Sequence, residues 1–168
     1  MGEICDEALV QAGNELGRTL RQRGLSITTV ESCTGGWIAK TLTDTGGSSD
    51  YFHCGLVTYS NAAKQELAGV TEMSLEKHGA VSEAVVREMV LGSVNLLDTD
   101  VAVAVSGVAG PDGGTEEKPV GMVWFAWGTR NGDTEVVCEH FNGGRESIRR
   151  QAVLYALQGV HGFLLGNG

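Results

Sequence analysis

Apolar residues recur at two spacings along the chain, and the alternation between those spacings predicts an order of elements. Ile4, Ala8, Leu9, Ala12, Leu16 and Leu20 fall on one helical face, with Gly24 just beyond as a terminator, so a helix opens the fold. Residues 25–30 (LSITTV) alternate as a half-buried strand does, and Trp37, Ile38 and Leu42 then return to helical spacing, predicting a helix over 35–43. A glycine and serine turn at 46–50 leads to a second strand at 54–59 (CGLVTY), followed by short helices over 61–67 and 74–77. Ser82 is placed to cap a longer helix reaching Leu97, with Val85, Val86, Met89, Val90, Val94 and Leu97 inward. The run 101–105 (VAVAV) is apolar throughout, the pattern of a strand covered on both faces. It runs into a glycine-rich loop at 106–114 (SGVAGPDGG). Strands at 120–127 and 134–141 form an antiparallel hairpin around Arg130-Asn131-Gly132-Asp133, and a last helix covers 146–164. No repeat or linker interrupts this order. The fold class expected is α/β, a three-layer α/β/α sandwich with a mixed sheet, as a single domain over residues 1–168.

Composition narrows the class without changing that picture. A chain of 168 residues with 42% hydrophobic and 20% charged residues has enough apolar surface for one proper core. No run reaches the apolar length needed to cross a bilayer, and the start MGEICDEAL is acidic where a signal peptide is basic, so no membrane association and a cytoplasmic location are expected. Cys5, Cys33, Cys54 and Cys138 are far apart with no CxxC pair, which argues for reduced, mostly buried thiols over a zinc module or a disulfide framework. A net charge of −9 speaks against a nucleic-acid surface, which needs a basic patch, but leaves room for a small anionic ligand.

The candidate chemistry gathers at three strand ends. The first is ESCTGGW at 31–37, where a hydroxyl, a thiol and the first amides of a helix come together. Such amides can hold a phosphate or a developing oxyanion, and Gly35 and Gly36 let a ligand approach the backbone. The plainer reading is that Ser32 or Thr34 caps the helix and the glycines make the turn. The second is TYSNAAK at 58–64. A lysine near a serine can serve as its base if burial lowers the ammonium pKa, and a tyrosine hydroxyl can relay the proton, so Ser32, Tyr59 and Lys64 are the parts of a serine–lysine amidohydrolase. Taken on the residues alone, a solvated Lys64 on an exposed helix face is the favoured alternative. The third is the 106–114 loop, which has neither a Walker ending nor dinucleotide-fingerprint spacing, yet whose amides at Ser106, Gly107 and Gly110 could cradle a phosphate or polarise a carbonyl. Arg145, near the start of the last helix, is the cation chosen for a phosphate contact. Cys33 ranks second to Ser32 as nucleophile, since a thiolate beside a helix N-terminus has a depressed pKa. The four histidines are scattered, so neither a histidine triad nor a metal site is expected, and no cofactor is implied.

Four segments carry a resemblance that covers nearly the whole chain: TTVESCTGGWIAKTLTDTGGSSDYF, GLVTYSNAAK, HGAVSEAVV and SGVAGPDGGTEEKPVGMVWFA, in that order. In them the chain resembles the C-terminal domain of the competence/damage-inducible protein CinA and its stand-alone relatives, the nicotinamide-nucleotide amidases. The resemblance implies hydrolysis of the carboxamide of nicotinamide mononucleotide to nicotinate mononucleotide and ammonia, a step of pyridine nucleotide (NAD) salvage, with no metal or organic cofactor. It maps Ser32, Tyr59 and Lys64 onto the family's nucleophile and proton-transfer positions, with Ser49 of the GGSSDYF motif as a further candidate for the catalytic role. Thr34, Gly35, Gly36, Ser106, Gly107, Gly110 and Arg145 are the substrate-binding candidates. A non-catalytic nucleotide-binding regulatory module is the rival reading. A homodimer is expected, with Trp124, Phe125 and Trp127 of one strand covering either the core or the dimer surface.

Overall fold

The computed structural model describes residues 4–166. Five strands form one mixed sheet in the order β2-β1-β3-β4-β5, where β1 is Ile27–Glu31, β2 Phe52–Val57, β3 Val101–Gly107, β4 Met122–Thr129 and β5 Thr134–His140. β1 pairs in parallel with both β2 and β3, while β3–β4 and β4–β5 are antiparallel. The three parallel strands therefore end along one edge. Six helices cover the sheet: α1 Asp6–Arg23, α2 Trp37–Thr43, α3 Asn61–Ala68, α4 Glu72–His78, α5 Glu83–Leu97 and α6 Arg145–Gly166.

Alternation along the strands divides the apolar residues between two cores. Val101, Val103 and Val105 of β3 and Val123, Phe125 and Trp127 of β4 pack with Leu9, Leu16 and Leu20 of α1, Ile38 and Leu42 of α2, and Ile148, Leu157 and Val160 of α6. Ala102 and Ala104, one residue out of phase, face Val86, Met89 and Val90 of α5 and Ala68 of α3. This is the three-layer sandwich, and strand order reverses at β1 with α2 on one face and α3 to α5 on the other. In such sheets the crevice at the reversal collects ligands. Phe125 and Trp127 are buried beside Tyr155, and Trp124 packs partly buried on the α5 side, so the aromatic strand serves the two cores.

The observed elements depart from the expected ones at a few ends, each for a local reason. β2 starts two residues early and stops before Thr58, whose amide donates to the Glu31 carbonyl while its own carbonyl turns to Lys64. β4 begins only at Met122, because Gly121 has φ 97° and a Cβ there would lie 2.1 Å from the Phe141 carbonyl oxygen. β3 continues through Ser106 and Gly107, expected in the loop; they pair with Trp124 and Val123. Close helix packing rests on Gly92 of α5, where a Cβ would stand 1.9 Å from the Ala68 carbonyl oxygen of α3. None of the described helices is long and apolar enough to cross a membrane.

Candidate active site

β1 carries Ser32 just past its end, and two hydrogen bonds fix that end: Ser32 N–H donates to the Val105 carbonyl and Thr58 N–H to the Glu31 carbonyl. The three parallel strand ends are thus tied together. From the α5 side of the sheet comes Lys64, on the buried face of α3 and only 1% exposed. Its Nζ lies 2.7 Å from the Thr58 carbonyl, 3.3 Å from the Tyr59 carbonyl and 3.0 Å from Ser32 Oγ. Among the described residues no carboxylate pairs with it. Burial without a counter-charge pushes its pKa below the ordinary lysine value. A solvated lysine on an exposed face is therefore not what the structure holds.

The turn after Ser32 is clamped from two sides. Glu31, fully buried, turns its carboxylate under the start of α2 and accepts from Thr34 Oγ1 at 2.7 Å, Gly36 N at 3.1 Å, Ile38 N at 3.0 Å and Ala39 N at 2.8 Å. A charged acceptor at a helix N-terminus satisfies amides that otherwise lack partners. Gly35 N–H meanwhile donates to the Ser32 carbonyl and Trp37 N–H to that of Thr34. This corrects the expectation of a free anion cradle at α2: its amides, including those of Gly35 and Gly36, and the Thr34 hydroxyl are spent within the protein. What the glycines supply is conformation, with φ of 63° at Gly35 and 93° at Gly36. From the other side Arg149 of α6 donates from Nε to the Cys33 carbonyl at 3.0 Å and from Nη2 to the Thr34 carbonyl at 2.9 Å, its guanidinium lying over the Trp37 ring.

Arg145, one turn earlier on α6, joins the remaining loops. It donates to the Gly110 carbonyl at 2.7 Å and to the Tyr59 hydroxyl at 3.1 Å. The Tyr59 side chain is 60% exposed and its hydroxyl meets Arg145, so it touches neither Ser32 nor Lys64; the lysine contact runs through the Tyr59 carbonyl.

Ser32, Lys64, Tyr59, Arg145 and Gly110 are thus brought to one edge, with Thr34, Gly35 and Gly36 in the turn after Ser32 and Ser106 and Gly107 at the adjoining end of β3, whereas Ser49 lies at the other end of the sheet. Ser49 sits exposed in a single 3-10 turn, Ser48–Asp50, ahead of β2 and beside the start of β1, where Ile27 N–H donates to the Tyr51 carbonyl. The length of β2, roughly 20 Å at strand rise, separates it from Ser32. Ser106 points its hydroxyl at the Ala80 carbonyl, 2.8 Å away, and Gly107 is a packing position where a Cβ would meet Val123. Cys33 is buried, and desolvation drives its thiol pKa up to about 12, the reverse of the depressed value expected beside a helix N-terminus. From sequence, Glu31 is read as able to orient its neighbours, bond a ligand hydroxyl, cap the helix or lie at the surface, and Arg149 is passed over in favour of Arg145, although its spacing four residues later places both on one face of α6. Among the described residues no three His, Cys, Asp or Glu side chains converge as a metal site requires. A groove of about 960 Å³ between β4, β5 and α6 lies at the opposite end of the sheet and is lined by neither serine nor lysine.

A serine hydroxyl thus lies in contact with a buried, unpaired lysine at the carboxyl edge of a doubly wound sheet, an arrangement in which an amine can take a hydroxyl proton. The chain belongs to the CinA C-terminal domain family, whose model matches residues 10–164. It is 54% identical over 155 residues to the nicotinamide-nucleotide amidohydrolase PncC of Escherichia coli K12, covering 92% of this chain and 94% of that one. Against the PncC of Pseudomonas putida the identity is 47% over 156 residues, with 92% and 96% covered. The crystal structure of competence damage-inducible protein A from Klebsiella pneumoniae superposes with a TM-score of 0.90 at 41% identity, covering 94% of this chain and 97% of that one. The protein is a hydrolase of this family.

Proposed function

We propose that the chain hydrolyses the carboxamide of nicotinamide mononucleotide to nicotinate mononucleotide and ammonia, with Ser32 as nucleophile and Lys64 as its base. The observation that carries the mechanism is the environment of the lysine nitrogen. Two of its three neighbours, the Thr58 and Tyr59 carbonyls, can only accept, so they take two N–H bonds whatever the protonation state. The remaining tetrahedral position faces Ser32 Oγ. In the neutral amine that position is the lone pair, aimed at the serine proton. Desolvation, by lowering the lysine pKa, raises the fraction of neutral amine.

Attack of Ser32 Oγ on the carboxamide carbon passes the serine proton to Lys64 and leaves a tetrahedral oxyanion. Collapse expels ammonia, which takes that proton from the lysine. Water then attacks the ester with Lys64 again as base; the C–Oγ bond breaks, the lysine returns the proton to Ser32 Oγ, and the carboxylic acid leaves and ionises to nicotinate mononucleotide. The position of Arg145 at the rim, between Gly110 and Tyr59, supports its reading as the cation that meets the substrate phosphate. The single domain and the homodimer expected from the sequence belong to the same proposal.

Ammonia release from nicotinamide mononucleotide, with free nicotinamide as comparison, tests the reading. Rapid release from the nucleotide alone, abolished in a folded Ser32→Ala variant, is the expected result. No release by the folded parent protein would return the chain to the binding-module reading, and full turnover in Ser32→Ala would remove the serine.

A further inference from the structure

Resting on the Ser32 assignment just made, we infer that Arg149 is a positioning residue, which sets the direction of the Cys33–Thr34 peptide so that the Thr34 amide faces the reacting carbonyl oxygen. Ser32 to Gly35 form a four-residue turn closed by the Gly35 N–H bond to the Ser32 carbonyl at 3.1 Å. The peptide between its two central residues, Cys33 and Thr34, is the one that reverses between the common turn types. Its orientation is therefore the loosest element of the turn.

Arg149 Nε holds the Cys33 carbonyl at 3.0 Å, and Nη2 of the same planar fork holds the Thr34 carbonyl at 2.9 Å. In a trans peptide the N–H points opposite to the carbonyl before it. With the Cys33 carbonyl turned towards α6, the Thr34 N–H is turned away from α6, towards the side from which Lys64 arrives. The Cys33 and Thr34 amides have no acceptor among the described residues, whereas those of Gly35, Gly36, Trp37, Ile38 and Ala39 are all engaged. They are the two free donors directly following the nucleophile. A pair of amides fixed before reaction is what an oxyanion needs, since no reorganisation is then required in the transition state. Trp37, stacked on the guanidinium at 5.4 Å, holds the fork in plane.

The test is steady-state kinetics of Arg149→Ala and Arg149→Lys beside Ser32→Ala, with folding checked by circular dichroism. Removing the fork is expected to lower kcat by roughly 10²-fold while KM stays within about threefold, because the lost interaction is made in the transition state. Arg149→Lys, able to hold one carbonyl, is expected to recover part of that loss. Parental kcat in Arg149→Ala, or a KM increase at unchanged kcat, would overturn the inference while leaving an inactive Ser32→Ala, and so the serine assignment, intact. Full turnover in Ser32→Ala would remove both. If Arg149→Ala does not fold, Arg149→Lys decides the matter: parental kcat there overturns the inference, and a lowered kcat at parental KM sustains it.

Discussion

Replacing Glu31 by Gln changes one oxygen to an amide and leaves the shape intact, so it isolates what the buried carboxylate does for the fold. Oε2 accepts three of the four bonds and Oε1 the fourth, from Ala39 N at 2.8 Å. Glutamine has one acceptor oxygen, and if that oxygen stays where three donors converge, its NH2 group must face the Ala39 N–H, donor against donor. Bonds to charged groups are worth about 1.5–3 kcal/mol against about 1 kcal/mol for neutral ones, so one is lost outright and three are weakened. Loss of the negative charge at the α2 N-terminus adds a few tenths of a kcal/mol or more. The total is roughly 3–5 kcal/mol, a large part of the ~5–15 kcal/mol by which domains are stable. For a chain of this size that lowers Tm by about 10 °C. Thermal unfolding of Glu31→Gln, followed by circular dichroism at neutral pH, measures it. A Tm within about 2 °C of the parent would sink this account, because it would mean that the four bonds contribute no more than those of a neutral amide.

The other expectations concern the lysine, the thiol and one glycine. Because the Lys64 pKa is lower in the fold than in the unfolded chain, the unfolded state binds more protons between the two values and stability rises with pH there; below that interval the full cost of burying the ammonium stands. Lys64→Met should therefore abolish turnover yet raise Tm at neutral pH, and a lower Tm would show that the buried amine is not a burden on the fold. In the parent, kcat/KM should climb with pH and level off below the ordinary lysine value of about 10.4. Cys33→Ala should keep most of the turnover, and iodoacetamide should leave the parent active at neutral pH, since a thiol with a pKa of about 12 is almost wholly protonated; rapid inactivation traced to Cys33 would contradict its burial. Gly92→Ala should cost about 2–4 kcal/mol in urea unfolding, because α3 and α5 must part to relieve a 1.9 Å contact; an unchanged midpoint would mean that the helices slide freely.

The architecture was largely legible because periodicity is a local signal. The VAVAV run, Ser82 as a cap and the turn at 130–133 all stand where the sequence placed them. Site geometry was less so, since it depends on what meets across the sheet. Nothing in NAAKQELA announces that Lys64 points inward; Ala68 is the one buried partner on that helix, too short a stripe to fix a face. Ser49 shared a motif with the site but belongs to the opposite end of a parallel strand, a distinction that only strand direction makes. Glu31 precedes its helix by six residues, outside the usual capping spacing, and Arg149 finds its acceptors more than a hundred residues away.

The amine and both carbonyls that confine it come from one short stretch, residues 58–64. That half of the reacting pair is local in the chain and can form as soon as α3 does, whereas Ser32 meets it only after β1 and β2 have paired. Recovery of turnover during refolding is thus a clock for that parallel ladder, a pairing that closes a long loop and forms slowly. A refolding chain could regain its helical signal and remain inert until the last such closure.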